Sequence, residues 1–309
     1  MIAEHTGSPD RLQAHTLSAV EPIVVEVVRD EVVESRHHVH AVAVRSGEVV
    51  ESAGDPHLVT FFRSAAKPLQ ALPLVRVRDD LTDEEIAIAC ASHLARPEQL
   101  AHVRSLLAKA PATEDDLECG PQPTRIEHNC SGKHAGMLAL CRAKGWRSAG
   151  YRLREHPCQA AMLADVAEAA EVEPAAIPTA VDGCGVLTFA LTLERMAHAF
   201  SRLPKLPGAE RVVTAMAAHP DLIRGPSSPD TLLMRAQPGW AAKGGAEAVF
   251  CASSPDGLGI AVKVEDGAWR ALGPAIGSFL ARLGLATTEL AEAPVRNSRG
   301  EVVGAMRPG

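Results

Sequence analysis

Short runs rich in β-branched residues alternate with turn sequences near the start of the chain. The runs lie at residues 23–28, 38–44, 48–51 and 58–62, and the turns are Arg45-Ser46-Gly47 and Gly54-Asp55-Pro56. Runs bounded in this way by Gly, Pro and Ser predict β-strands joined by tight turns. Residues 1–18 are polar and aperiodic, so we predict a flexible tail there.

Beyond residue 64 the apolar residues recur at spacings of three and four, which is typical of helices that bury one face. The predicted helices cover residues 83–92, 97–109, 133–144, 157–170, 186–202 and 208–218. Strand-like runs return at residues 248–253 and 258–264. A helix at 274–285 and a polar tail complete the predicted elements.

Strands at both ends of the chain, with helices between them, predict an α+β fold. We expect one antiparallel sheet built from the N- and C-terminal strands, with a helical subdomain beside it. The predicted domain is 19–309, with a sheet part at 19–75 and 240–309 and a helical part at 76–239. The sequence has no strand–helix–strand alternation, glycine-rich phosphate loop or internal repeat, which disfavours Rossmann-like and solenoid folds.

The composition excludes several classes of function. Hydrophobic residues make up 46% of the 309 residues but aromatic ones only 3%, so aliphatic side chains must fill the core. The net charge of −7 provides no basic face for nucleic acid. No apolar stretch approaches the ~20 residues of a membrane span, and the N-terminal residues lack a signal-peptide pattern. Seven scattered cysteines favour a reducing cytoplasm over a secreted disulfide framework.

The tetrad Ser64-Ala65-Ala66-Lys67 is the first candidate for chemistry. Residues three apart share one face of a helix, and Pro68 places the serine at or just before the first helical turn. The free N–H groups there favour a developing alkoxide, and a neutral lysine can take the serine proton. A serine that only caps the helix is the alternative explanation of the same tetrad.

A second serine and a late lysine follow the tetrad in the chain. Ser92 ends an apolar helix, and Lys243 precedes Gly244-Gly245 and a strand. This order resembles the arrangement in β-lactamases and penicillin-binding proteins. The alternative is an ordinary helix end at Ser92 and a solvated loop at Lys243.

Two loops of small residues contain cysteines, Cys130 in residues 128–136 and Cys184 in residues 182–185. Two thiolates with His128, His134 or Asp182 would make a three-ligand zinc site with one open position. Buried, inert cysteines are the alternative, since the spacing matches no common zinc motif. Arg224 is a candidate to bind a substrate carboxylate, or else a partner in a loop salt bridge.

Taken together, these stretches resemble the asparaginase II family, the rhizobial-type L-asparaginases. The matching stretches are residues 33–37, 63–73, 128–137, 181–186, 219–225 and 242–247. The resemblance implies a β-lactamase-like fold, hydrolysis of L-asparagine to L-aspartate and ammonia, and often a homodimer.

The resemblance also implies roles for particular residues. It pairs Ser64 with Lys67 and Ser92 with Lys243, and places Arg63 beside the first pair. It implies a metal, usually zinc, on Cys130, Lys133 and Cys184. Asp182 and His134 would then neighbour the metal, replace one of its ligands, or contact the substrate together with Arg224.

Two alternatives remain open at this point. A glutaminase, or another acyl-enzyme hydrolase with a Ser-x-x-Lys tetrad, would use the same residues. A non-catalytic protein that binds an amino acid or zinc on this scaffold belongs to a different class, and retention of both serines and both lysines argues against it.

Overall fold

An antiparallel sheet made from both ends of the chain lies at the centre of the fold. The computed structural model describes residues 20–285 and 287–309, so the predicted tail at 1–18 lies outside the described residues. The sheet has eight strands, in the order β10-β11-β1-β2-β9-β8-β7, with β3 paired to β2. They are β1 Ile23–Arg29, β2 Val32–Arg45, β3 Glu48–Ala53, β7 Ala241–Gly245, β8 Val249–Ser253, β9 Leu258–Val264, β10 Ala293–Arg296 and β11 Val302–Pro308. The predicted sheet of N- and C-terminal strands is therefore confirmed.

Helices fill most of the chain between the two groups of strands. They are α1 Lys67–Gln70, α2 Leu72–Val75, α3 Asp83–Ala89, α4 Pro97–Lys109, α5 Ser131–Lys144, α6 Pro157–Ala170, α7 Leu193–Arg202, α8 Ala209–Ala218, α9 Pro220–Ile223, α10 Pro229–Ala236, α11 Leu272–Arg282 and α12 Thr288–Ala291. A capping box of Thr82 and Glu85 begins α3, and the Ser228 side chain caps α10. Among the described residues, no helix has the length and apolarity needed to cross a membrane.

The core lies between the sheet and the helices packed on it. Every residue of β9 is buried, which shows that both faces of this central strand are covered. Helix α7 packs on β9 so closely that a Cβ on Gly259 would lie 2.0 Å from the Ala197 carbonyl oxygen. Helix α11 packs against β1, β9 and β11. The sheet is thus a rigid support for the loops at its edges.

Two predicted elements are wrong. Residues 187–192 of the predicted helix at 186–202 form a strand, β6 Leu187–Thr192, and only the remainder is helical, as α7. The run is apolar at nearly every position, and such a run fits a buried strand as well as a helix. Here β6 lies between β4 Val59–Phe61 and β5 Thr179–Val181 in a second, three-stranded sheet.

The predicted polar tail is also wrong, because it contains β10 and β11. Strand β11 pairs with β1 in the register Val25 to Pro308 and Val28 to Ala305. Its side chains are exposed or half-buried, so the apolar pattern is weak. The backbone hydrogen bonds with β1 hold this strand, and those are invisible in the sequence.

Candidate active site

The first serine lies in a strained turn that follows β4. Arg63–Ala66 forms one turn of 3₁₀ helix before α1, and Arg63 has φ +51°, a left-handed value that non-glycine residues rarely adopt. The Arg63 backbone N–H donates to Thr188 Oγ1 at 3.0 Å, and its Nε donates to Asp182 Oδ1 at 2.8 Å. Both contacts come from around β6, so the second sheet holds Ser64 in place. Backbone strain that tertiary contacts maintain is common at functional sites.

Lys67 is fully buried, and its amine contacts the second serine. Nζ donates to Ser92 Oγ at 3.0 Å and also to the Ala91 carbonyl oxygen. The predicted pairs joined Lys67 to Ser64 and Ser92 to Lys243. Among the hydrogen bonds of the described residues, Lys67 pairs with Ser92. Ser64 is half-buried, whereas Ser92 is 3% exposed.

Lys243 lies on β7 and is fully buried. Burial, together with the nearby charges of Lys67 and Arg224, lowers the pKa of Lys243 to about 7, against the opposing effects of Asp230 and Cys130. The Asp230 carboxyl oxygen Oδ1 lies 3.7 Å from Nζ and also accepts a hydrogen bond from the Gly244 N–H. An amine with a pKa near 7 can exchange protons at neutral pH.

The glycines after Lys243 allow β7 to lie directly against the turn that contains Ser64. A Cβ on Gly245 would lie 3.0 Å from both the Ala65 nitrogen and the Phe62 carbonyl oxygen. A Cβ on Gly244 would lie 2.5 Å from the Trp269 ring. Close packing against the serine turn therefore requires Gly245, and close packing against Trp269 requires Gly244.

Ser92 lies at an open cleft of about 340 Å³. The lining includes Ser92, His93, Asn129 and Arg224. The Arg224 guanidinium stacks over the Trp269 ring at 4.2 Å from its centroid, which orients the cation without neutralising it. A serine, an amide and a cation therefore face one space large enough for an amino acid.

The two cysteine loops meet beside the first turn of α5. Lys133 Nζ donates to Cys184 Sγ at 3.3 Å, and Cys130 precedes the same helix. The hydrogen bond with the Cys184 thiol lowers the pKa of Cys130, with Lys67 and Lys133 acting in the same direction. Burial opposes the charge on Lys133, but the two thiols and Asp182 outweigh it and raise the pKa of this lysine. Cys130, Lys133 and Cys184 thus form one contact cluster.

The donor set of this cluster fits zinc, which binds thiolate sulfur and nitrogen. Among the described residues, no group of three or more His, Cys, Asp and Glu side chains could hold a metal ion. A metal here would therefore need the Lys133 amine, which must lose its proton to bind. Asp182 pairs with Arg63 rather than with the cysteines.

His134 lies next to the cluster and is fully buried. Its Nδ1 lies 2.8 Å from the Tyr151 hydroxyl, which accepts a hydrogen bond from the Glu118 N–H. Its Nε2 is buried and has no hydrogen-bond partner among the described residues. A buried polar atom of this kind needs a partner from outside the protein, such as a ligand or water.

Two residues of the site were missed by the sequence analysis. Asp230 and Gln99 are both fully buried and both contact the loops described above. Asp230 lies in the first turn of α10 after the capping Ser228, and Gln99 lies in the first turn of α4. Polar residues at these positions are ordinary at helix starts, so nothing in the sequence distinguished them.

Comparison with known proteins gives one informative match. A family model described as L-asparaginase II matches residues 25–308. A search of curated proteins finds no match. The match to the L-asparaginase II family covers nearly the whole described chain and includes every candidate residue above.

Several solved structures are similar at low level. They include the native form of Mglu, with 14% identity over 74% of this chain and 59% of that one and a TM-score of 0.44. A probable glutaminase from Bacillus subtilis complexed with 6-diazo-5-oxo-L-norleucine has 14% identity over 80% of this chain and 84% of that one and a TM-score of 0.37. SurE with D-Leu has 17% identity over 90% of this chain and 75% of that one and a TM-score of 0.37. The chain thus spans about three fifths of the length of Mglu. With TM-scores below 0.5, these likenesses carry no argument about its chemistry.

Proposed function

This chain belongs to the L-asparaginase II family of amidohydrolases, and we propose on that premise that it hydrolyses L-asparagine to L-aspartate and ammonia. The observation that carries the proposal is the hydrogen bond of 3.0 Å between the buried Lys67 amine and Ser92 Oγ, at a cleft that also contains Arg224. Nucleophilic catalysis by serine requires a base within reach of the hydroxyl, and a neutral lysine can be that base.

The reaction would proceed through a covalent ester. A serine Oγ attacks the side-chain amide carbon while a neutral lysine accepts the hydroxyl proton. The C–N bond then breaks, and the proton passes to the departing nitrogen, which leaves as ammonia. Water attacks the resulting aspartyl ester and gives a proton to the lysine. The lysine passes this proton to the departing serine Oγ, which releases aspartate and restores the serine hydroxyl and the neutral amine.

Two serines compete for the role of nucleophile. The family resemblance pairs Ser64 with Lys67, and on that pairing Ser64 would attack with Lys67 as base, in the strained turn that contains Arg63. The contact between Lys67 and Ser92 makes Ser92 the alternative, because the same amine lies within reach of its hydroxyl. Lys243 would keep the site in its productive charge state, since its pKa of about 7 lets it gain or lose a proton at neutral pH.

Arg224 would bind the substrate's α-carboxylate in this scheme. Its guanidinium lies over Trp269, at the cleft that Ser92 also lines. His134 Nε2 and Asp182 would lie near the amino-acid head, as the resemblance suggests. An arginine held by stacking is a suitable anchor for a planar carboxylate.

We also propose zinc on Cys130, Lys133 and Cys184. When bound, zinc would supply positive charge and Lewis acidity beside the substrate. The protein's own residues already include a candidate nucleophile and base, so the metal's role would be to anchor and polarise.

The β-lactamase-like architecture, with a sheet subdomain and a helical subdomain, and the homodimer are parts of the same proposal. Light scattering coupled to size-exclusion chromatography tests the dimer directly: a mass of about 33 kDa would refute it, because one chain is 32.6 kDa.

The test of the proposed function is ammonia release from L-asparagine by the purified protein. We expect Ser64→Ala or Ser92→Ala to reduce kcat/KM by about a thousandfold or more, whichever is the nucleophile. Ser253→Ala is the matched control, because Ser253 is equally buried but lies on β8 away from the cleft. The proposal fails if the wild-type protein releases no ammonia, or if neither site variant differs from the control.

A diazoketone analogue of asparagine identifies the attacking serine. Such a compound alkylates the nucleophile, and peptide mass spectrometry then locates the label. Label on Ser64 supports the assignment taken from the family, and label on Ser92 replaces it. Label on neither serine would refute a serine nucleophile.

A further inference from the structure

Gln99 is a fully buried amide that makes five hydrogen bonds to the backbone of two separate segments. One is the Ser92 loop, residues 92–96, and the other, called here the Arg224 loop, is residues 221–225, which comprise the end of α9 and the residues that follow it. Its Oε1 accepts from the N–H groups of Leu94 at 3.0 Å and Arg96 at 3.1 Å. Its Nε2 donates to the carbonyl oxygens of Asp221 at 3.2 Å, Leu222 at 3.3 Å and Arg224 at 2.9 Å. The N–H donors face the amide oxygen and the carbonyl acceptors face the amide nitrogen, so the amide has one possible orientation.

Half of this arrangement is an ordinary helix start. Arg96 is the N-cap residue of α4, and the acceptor oxygen of Gln99 satisfies its N–H as in a capping box. The three bonds from Nε2 have no part in capping. They hold residues 221–224, which are more than a hundred positions away in the chain. The amide nitrogen of Gln99 therefore links the Arg224 loop to the start of α4.

The two loops that Gln99 joins both line the cleft. Ser92, His93 and Leu94 belong to one, and Arg224 belongs to the other. The Ser92 N–H donates to the Ile223 carbonyl oxygen at 2.7 Å. These contacts leave little freedom in the position of Arg224 relative to Ser92.

Gly225 shows how closely the loops approach. A Cβ at this position would lie 2.9 Å from the Leu94 side chain. The backbone of the Arg224 loop thus rests on the Ser92 loop, with Gln99 behind both. A shift of either loop would change the distance between the serine and the guanidinium.

We propose that Gln99 is a positioning residue that fixes the distance between Ser92 and Arg224, and so the length of amino acid that the cleft accepts. This inference rests on the proposed function, in which Arg224 holds the α-carboxylate while the side-chain amide reaches the serine–lysine pair. Asparagine and glutamine differ by one methylene between those two groups. A rigid site can discriminate against one methylene by about 10- to 200-fold, and a loosened one loses that ratio.

The test compares Gln99→Glu and Gln99→Leu with the wild-type protein. Gln99→Glu keeps an oxygen acceptor for Leu94 and Arg96 but loses the donors to residues 221–224. Gln99→Leu loses both sets. The matched control is Arg211→Met, because Arg211 likewise donates three hydrogen bonds to backbone carbonyls, at Val75, Arg78 and Leu81, away from the cleft.

Two readouts are needed. The first is the ratio of kcat/KM for asparagine and glutamine, with KM and kcat resolved separately. The second is the ratio of dissociation constants for L-aspartate and L-glutamate from calorimetry, which requires no turnover. We expect both ratios to fall at least fivefold towards one in the Gln99 variants, mainly through binding of the shorter ligand, and to stay unchanged in Arg211→Met.

The outcomes separate the two proposals. If the wild-type protein prefers aspartate to glutamate, and the Gln99 variants lose the preference, but no ammonia is released, the proposed function fails and the role of Gln99 stands. If the wild-type protein shows no preference, or the variants bind both ligands more weakly in parallel, the role of Gln99 is overturned. Should Gln99→Leu not fold, Gln99→Glu decides, because it retains the cap.

Discussion

Burial of the Lys243 amine should have a measurable consequence for stability. Its amine is fully buried, and burial lowers its pKa from the ordinary 10.5 to about 7 despite the Asp230 carboxyl 3.7 Å away. The positive charges of Lys67 and Arg224 also lower the pKa of Lys243. The substitution Lys243→Met removes the ionisable group and keeps most of the side-chain volume.

The magnitude follows from the linkage between protonation and folding. Between pH 7 and 10.5 the unfolded chain holds a proton at Lys243 that the folded protein has lost, so the free energy of unfolding rises with pH. Each pH unit contributes up to about 1.4 kcal/mol, and the whole interval contributes about 5 kcal/mol. Below pH 7 Lys243 is protonated in both the folded and the unfolded state, and the folded protein carries the full free-energy cost of burying the charged amine.

The assay is chemical denaturation at pH 7.5 and pH 9.5, with wild-type and Lys243→Met proteins. We expect the wild-type free energy of unfolding to gain about 2–3 kcal/mol more than that of the variant over this interval. Titration of the cysteines and tyrosines is common to both proteins and cancels in the comparison.

Lys263→Met is the matched control for this prediction. Lys263 lies in the same sheet, on β9, which β8 separates from β7. Like Lys243, it donates to a backbone carbonyl, but it is less buried, and burial lowers its pKa less strongly. Its removal should change the slope less. If wild-type and Lys243→Met stabilities change in parallel with pH, Lys243 has no depressed pKa and the reasoning is refuted.

Three further predictions concern packing, the metal and the serine turn. Gly259→Ala should destabilise the protein by about 3 kcal/mol or more, because the added Cβ would overlap the backbone of α7. Gly183→Ala is the control, since it has open space around it and should change stability by less than about 1 kcal/mol. Thermal unfolding of both variants tests this prediction, and equal effects would contradict it. Cys130→Ser should remove bound zinc as measured by elemental analysis, and undiminished zinc would exclude the cysteine cluster as its site. Asp182→Asn should cost about 1–3 kcal/mol and lower activity by loosening the turn before Ser64, and a variant with wild-type kcat and stability would show that the Arg63 ion pair is dispensable.

The parts of the fold that the sequence predicted correctly are those set by local pattern. Helices α4 and α6 and strand β9 have their predicted bounds, because each has a clear periodicity and a proline or turn at its boundary. The predicted helix start after Ser64 is also observed, with the 3₁₀ turn Arg63–Ala66 leading into α1. These features depend on residues that are neighbours in the chain.

Features that depend on distant residues were not predicted. The apolar run of β6 is compatible with either a helix or a strand, and its pairing with β4 and β5 makes it a strand. Strand β11 has a weak pattern and is held by backbone bonds to β1. Gln99 and Asp230 resemble ordinary residues of helix starts, and their importance arises only from the loops that the fold places against them.

The contact between Lys67 and Ser92 likewise depends on residues that are distant in the chain, and local pattern did not predict it. The spacing of Ser64 and Lys67 predicts that their Cβ atoms share a helix face, and this is a statement about the backbone. The amine of lysine lies at the end of four methylenes, so its contacts depend on which groups the fold places there. Here the residues that follow α3 bring the Ala91 carbonyl and the Ser92 hydroxyl to that point. The Ser-x-x-Lys spacing therefore predicts where the lysine backbone lies, while the serine that its amine contacts is decided by tertiary packing.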